Sequence, residues 1–235
     1  MHVLPPLAAS KAMTAVRPHR VLAGFALSAA SALIGCNREG GSSQGPVSRP
    51  VVTAGTVAVS GKVTFDGPPP PPGTLGEQLC CDKKVAIPDE SLVVEAGGGV
   101  RNVVVYLKDG PNVASPPPPA VLDQAGCRYV PHVLAVRAGQ PVTVKSSDPT
   151  LHNAHADKGT NKPFNLPFAD AGDAKTVTFP SPEVAVRVRC DVHQWMGAYV
   201  AVFDHPYYAV TGEGGRFELP NVPAGTYTLV AWHER

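Results

Sequence analysis

The chain contains few aromatic residues and little charge. Aromatic side chains make up 6% of its 235 residues and charged side chains 17%, and the formal net charge is +1. A nearly neutral balance excludes the concentrated basic surface that nucleic-acid-binding proteins present to phosphates. We therefore expect no nucleic acid among its partners.

Helical and catalytic signals are also missing. No apolar period of about 3.6 residues persists after residue 36, and the chain has neither heptads nor a Walker-type phosphate loop. No Ser/His/Asp order and no paired carboxylates mark a hydrolytic site. We therefore expect neither an enzyme nor a small-molecule substrate.

Proline and glycine are abundant instead. The 26 prolines and 23 glycines separate short runs rich in Val and Thr, which is typical of an all-β protein with many turns. The predicted elements are strands within 55–67, 91–110 and 197–204 and hairpins over 131–148 (turning at Ala138-Gly139), 174–190 and 207–234.

The front of the chain has the pattern of a targeting segment. Arg17 and Arg20 precede an apolar run that is shorter than the roughly 20 residues of a comfortable membrane span. The run ends in "LIGC", which resembles the bacterial lipobox and implies that Cys36 carries a lipid at the mature N-terminus. An ordinary secretory signal with an incidental cysteine is the alternative.

These features predict a signal peptide over 1–35 and a Gly/Ser-rich flexible linker over 36–54. The expected location is the bacterial cell envelope, facing the periplasm, with the membrane as a partner through the lipid anchor. Asn37 is not the Asp associated with inner-membrane retention, so the outer membrane is favoured.

Three of the other four cysteines are candidates for a disulfide. Exported proteins mature in an oxidising compartment, and a bridge between the adjacent Cys80 and Cys81 would be strained. We predict the pair Cys81–Cys127 and keep Cys80–Cys127 as the alternative. Cys190 is left over, and a lone thiol outside the cytoplasm is best protected as a metal thiolate.

Cys190 opens a segment that is dense in metal-binding donors. Alternation over "EVAVRVRC" places Val184, Val186, Val188 and Cys190 on one face of a strand. His193 and Met196 follow three and six residues later, and a short turn can gather these donors around one point.

A further donor is expected from His152, which follows the strand "PVTVKSSD". Two imidazoles, one thiolate and a weak axial thioether are the donors of a blue-copper site. Zinc rarely takes a thioether, and iron–sulfur clusters need more cysteines.

The segments "CDVHQWM" and "LHNAH" resemble the two ligand motifs of the cupredoxins. The resemblance covers residues 91–204 and implies a Greek-key β-sandwich with one type 1 copper ion. By that resemblance the copper ligands are His152, Cys190, His193 and Met196. It also implies that Asn153 ties the two ligand loops together by hydrogen bonds.

The resemblance implies single-electron transfer in the periplasm, because four protein ligands leave no position for a substrate. The expected redox partner is another protein, which the sequence does not identify. The alternative is a lipoprotein that holds or delivers copper without redox cycling. A candidate docking rim consists of Phe164, Leu166, Pro167 and Phe168, with core or loop anchors as the equal alternative.

The flanks resemble a second architecture. Residues 212–234 resemble the closing hairpin of carboxypeptidase-regulatory-like, transthyretin-type sandwiches, and residues 55–67 resemble their opening strand. This implies an additional transthyretin-type portion built from the N-terminal β segment 55–90 and the C-terminal hairpin 205–235.

Four histidines that follow the predicted signal peptide fall outside the ligand set. We expect His132 to be a strand residue and His155 to lie beside the site or on the surface. His205 and His233 are either structural or part of a second, weak metal site.

Overall fold

The structure is a computed structural model that describes residues 55–157 and 159–235. The predicted signal peptide, the linker and the lipidated Cys36 lie outside these residues and stay predictions. Within the described residues, no helix is both long and apolar enough to cross a membrane.

Strands are nearly the only regular secondary structure in the described residues, which confirms the all-β prediction. Among residues 55–157 and 159–235, the one helical element is a short 3-10 turn at Glu213–Gly215. The strands are β1 Thr56–Lys62, β2 Thr74–Cys80, β3 Lys83–Pro88, β4 Val104–Lys108, β5 Ala120–Gln124, β6 Tyr129–Val130, β7 Val133–Arg137, β8 Pro141–Ser146, β9 His152–Ala156, β10 Phe164–Phe168, β11 Ala174–Thr178, β12 Glu183–Arg189, β13 Gly197–Phe203, β14 Tyr208–Val210, β15 Arg216–Pro223 and β16 Thr228–Trp232.

Strands β5 to β13 form a sandwich of two sheets. The five-stranded sheet has the order β10-β9-β12-β13-β7, and the four-stranded sheet has the order β11-β8-β5-β6. Buried side chains from both sheets, such as Leu122 and Val144 on one side and Val188 and Val200 on the other, share the largest core cluster. The predicted β-sandwich is therefore present.

The three predicted hairpins are wrong. Strand β7 pairs in parallel with β13, whereas β8 pairs with β5 and β11 in the other sheet. Strands β11 and β12 also lie in different sheets, and β14 and β16 both pair with β4 while β15 pairs with β1. Alternating apolar residues predict a strand and its buried face, but they do not select the hydrogen-bonding partner.

A third sheet, with the order β14-β4-β16, packs on the back of the five-stranded sheet. Val104 of β4 shares a buried cluster with Ala201 and Phe203 of β13. Because β13 is covered on both faces, its sequence is a nearly continuous apolar run, as is typical of buried central strands. Strands from the predicted domains 91–204 and 205–235 thus share one sheet, and the transthyretin-type portion stays a prediction.

Two tight turns meet beside the sandwich core. Cys81 and Asp82 join β2 to β3 with φ angles of 51° and 60°, and Gly126 and Cys127 lie between β5 and β6 with 62° and 51°. Positive φ at both central residues is typical of the type I′ turn of a two-residue hairpin.

The disulfide joins Cys80 to Cys127, so the predicted pair Cys81–Cys127 is wrong and the alternative is the one formed. Cys80 is the last residue of β2, is 4% exposed, and belongs to the same core cluster as Cys127. Cys81 is the first turn residue, is partly exposed and keeps a free thiol.

Candidate metal centre

The strand register brings the two predicted ligand motifs to one sheet edge. His152 is the first residue of β9, and Cys190 directly follows the last residue of β12. Because β9 and β12 are antiparallel and pair Val188 with Ala156, the beginning of one strand lies beside the end of the other.

The predicted inward face of β12 is confirmed in part. Val186, Val188 and Cys190 all lie in the sandwich core. Val184 packs in the cluster on the opposite face of the sheet, because the register shifts between Glu183 and Val186 and the bulge has Ala185 at a φ of 73°.

Three of the predicted ligands lie together. His152 Nδ1 and His193 Nδ1 are 2.9 Å apart, and Cys190 Sγ lies 4.0 Å from His193 Nδ1. His152 is 0% exposed and Cys190 2%. Two imidazole nitrogens that each bind one ion at about 2.0 Å are about 3 Å apart when they subtend roughly a right angle, so the spacing fits a shared metal ion.

Met196 closes the loop that holds these donors. Its backbone N–H donates to the His193 carbonyl over 2.9 Å, and the Cys190 N–H donates to the Met196 carbonyl over 3.2 Å. The Met196 side chain is 2% exposed and belongs to the same core cluster as Cys190. The turn therefore directs the thioether of Met196 inward, on the same side as the thiol.

Asp148 contacts the candidate centre, although the sequence did not predict it. Its Oδ2 accepts hydrogen bonds from His152 Nε2 at 3.0 Å and from the Cys127 N–H at 2.8 Å, and its Oδ1 accepts from the Gly126 N–H at 2.8 Å. With the ring proton held at Nε2, the lone pair of His152 Nδ1 is free and faces His193. The only signal in the sequence is an acidic residue four positions before a candidate histidine ligand.

Asn153 makes the hydrogen bonds that the resemblance implied. Its side-chain oxygen accepts from the Asp191 N–H at 2.7 Å, and its amide donates to the Asp191 carboxylate at 2.8 Å. Tyr129, which is fully buried, donates to the Asn153 carbonyl at 2.5 Å. The first residues of β9 are thus joined to the start of the Cys190 loop.

The surroundings of Cys190 favour its thiolate. Burial would raise the pKa of the Cys190 thiol, but the neighbouring His152 imidazole and backbone N–H groups, including those of Asn153 and His193, together lower it. Burial lowers the pKa of His193, and the neighbouring charge of His152 lowers it further. A deprotonated thiol and a neutral imidazole are the forms that bind metals.

Cys127 also lies near the two imidazoles. One donor atom each from Cys127, His152 and His193 fit within 4.8 Å of one another. The sulfur of Cys127 is bonded to Cys80, however, and therefore offers no thiolate. Cys190 is the free cysteine at this position.

The remaining histidines lie outside this group. His155 contacts Asp191 at 2.8 Å on the partly exposed side of the loop, and His132 pairs with Glu234. His205 is buried beside Phe203. Among the described residues, His205 and His233 join no common cluster of metal-binding groups.

The predicted docking rim is largely part of the core. Phe168 is fully buried, and Phe164 and Leu166 pack against the sandwich core from β10. Of the four candidates, only Pro167 is exposed. The alternative of core anchors therefore describes these residues better.

No protein-family model and no curated protein match this chain. Several solved structures resemble it in part. A copper-containing nitrite reductase from Thermus scotoductus is 22% identical over 42% of this chain, with a TM-score of 0.34. A mutant of amicyanin in the Cu(I) form is 23% identical over 42% of this chain, with a TM-score of 0.33.

A purple cupredoxin from Nitrosopumilus maritimus is 23% identical over 35% of this chain, with a TM-score of 0.31. The matches cover 25% of the nitrite reductase, 97% of the amicyanin and 98% of the purple cupredoxin. Structural similarity at these TM-scores does not support an inference about the function of this chain.

Proposed function

We propose that this protein binds one copper ion through His152, Cys190, His193 and Met196 and carries single electrons. The observation that supports this proposal is the 2.9 Å approach of His152 Nδ1 to His193 Nδ1 beside a buried free thiol. Two imidazole nitrogens that face each other at this distance need a proton or a cation between them.

The donor set fits copper better than other metals. One thiolate, two imidazoles and a thioether suit both Cu(I) and Cu(II), whereas a structural zinc site would use more thiolates and no thioether. Bound copper would supply a reversible one-electron couple. With four protein donors, the site has no position reserved for a substrate.

The residues around the centre have separate roles in this proposal. Asp148 keeps the proton of His152 on Nε2, and Asn153 fixes the distance between β9 and the Cys190 loop. His193 is the most exposed of the four donors, so its ring edge is the route by which electrons enter and leave. Buried partners hold the other donors in place, which limits rearrangement between the two oxidation states.

The cellular setting is part of the same proposal. A lipid on Cys36 would anchor the protein to the bacterial envelope, and residues 36–54 would act as a flexible tether on the periplasmic side. A protein would then be the redox partner.

The experiment is a copper titration followed by visible absorption spectroscopy. We expect an intense thiolate-to-copper band with one bound ion per chain, lost in Cys190→Ser. Cys81→Ser is the matched control, because Cys81 is the other free cysteine of the described chain, and it should keep the band. Retention of the band in Cys190→Ser contradicts the assignment.

Voltammetry then separates electron transfer from copper holding. A carrier gives a reversible one-electron wave and retains its metal against a chelator. A protein that binds copper but shows no reversible wave, and yields its ion to the chelator, would instead hold or deliver copper.

A further inference from the structure

A second cluster of sulfur atoms lies beside the candidate metal centre. The sulfurs of Cys80, Cys81 and Cys127 and a carboxylate oxygen of Asp148 all lie within 4.8 Å of one another. Cys80 Sγ and Cys81 Sγ are 3.7 Å apart. The end of β2 and the two tight turns bring these three cysteines together, although Cys80 and Cys127 are 47 residues apart in the sequence.

We propose that reduction of the Cys80–Cys127 disulfide turns this cluster into a second copper site, in which three thiolates hold one Cu(I). Soft thiolate ligands suit Cu(I), zinc and iron–sulfur clusters, but structural zinc sites and iron–sulfur clusters use four ligands, whereas this cluster offers three thiolates. Three sulfurs around a trigonal ion, with metal–sulfur bonds of about 2.3 Å, are about 4 Å apart. The cluster is therefore already close to the required size, and only the bonded pair has to separate.

The chemistry balances with a dithiol as the reductant. The dithiol gives up two electrons and two protons and becomes a disulfide, while the Cys80–Cys127 bond breaks and two thiols form. Binding of Cu(I) to the three thiols then releases three protons and transfers no electron. Of these three cysteines, only Cys81 retains a free thiol while the disulfide is formed, so the site is closed in the oxidised chain.

Asp148 keeps its hydrogen bonds, and is not a ligand, when the three cysteines hold Cu(I). Its two oxygens already accept three hydrogen bonds, from Gly126, Cys127 and His152. Cys81 is partly exposed, which gives an ion access from solvent without opening the core.

The second site adds a function to the proposed electron carrier. One carboxylate contacts both the turn that bears Cys127 and the ring of His152. A Cu(I) ion held by the three cysteines would therefore lie next to the first centre, under reducing conditions in which the disulfide is open.

The test uses Cys190→Ala, which disables the first site without changing the three cysteines. The oxidised and the dithiol-reduced forms, freed of reductant under anaerobic conditions, compete with a chromogenic Cu(I) chelator. We expect the reduced form to take up one more Cu(I) per chain than the oxidised form. Adding Cys81→Ser should weaken this uptake by more than the roughly 10–100-fold that loss of an outer-shell partner costs.

Equal uptake by the reduced and oxidised forms overturns the proposal, and so does uptake that Cys81→Ser leaves unchanged. Preference for Zn(II) over Cu(I) also overturns it, as does unfolding of the reduced chain seen by circular dichroism. The first centre is judged separately, from the visible band of the oxidised wild-type chain. Failure of one site therefore does not imply failure of the other.

Discussion

Replacement of Asp148 by Asn tests the connection between the disulfide turn and the candidate metal centre. The Asp148 side chain is nearly buried, and its carboxylate accepts hydrogen bonds from Gly126, Cys127 and His152. Asn has almost the same shape but has one oxygen, while its other terminal atom is a donor. At least one N–H group must then face a donor.

The expected cost follows from these bonds. A hydrogen bond to a charged group contributes about 1.5–3 kcal/mol, and Asp148→Asn loses one such bond and weakens the others. We expect the free energy of unfolding of the metal-free protein to fall by about 2–3 kcal/mol. Copper affinity should fall by about 10–100-fold, because the ring proton of His152 is no longer held at Nε2.

The assay combines guanidinium unfolding of the metal-free protein with competitive copper titration. Asp170→Asn is the matched control: Asp170 is exposed, and we expect a change within about 0.5 kcal/mol. Wild-type copper affinity in Asp148→Asn would refute the role assigned to this carboxylate. Lower stability with unchanged copper affinity would show that Asp148 has only a structural role.

Two further predictions concern stability. Cys127→Ser should lower the free energy of unfolding by about 4 kcal/mol, because it opens a loop spanning 47 residues. Cys81→Ser should change this free energy by less than about 0.5 kcal/mol. Equal losses in denaturant unfolding would contradict the Cys80–Cys127 pairing. Burial pulls the pKa of His132 down, but the hydrogen bond and charge of Glu234 outweigh it and raise the pKa above its usual value. The pair should therefore stabilise the fold fully below about pH 6.5, and its contribution should be lost as the pH rises through the raised pKa. His132→Gln should cost more stability at about pH 5 than at about pH 9, and a difference that does not vary with pH would refute this.

The donor loop could be predicted from the sequence because its chemistry is local. Cys190, His193 and Met196 lie within seven residues, so one turn gathers them wherever the strands run. His152 was predicted from a motif rather than from distance, and the structure places its ring beside that of His193. Asp148 was missed because a lone acidic residue before a histidine has many other uses.

The sequence by itself determined the all-β class, the buried face of β12 from Val186 to Cys190, and the cluster of donors. Period-two alternation and ligand spacing are properties of neighbouring residues. Tertiary structure alone decided which strands pair, which cysteine reaches Cys127, and that one carboxylate joins the disulfide turn to His152. These outcomes depend on which distant surfaces pack together. A shift of one residue also reverses the side to which a side chain points, as at the Ala185 bulge and between Cys80 and Cys81.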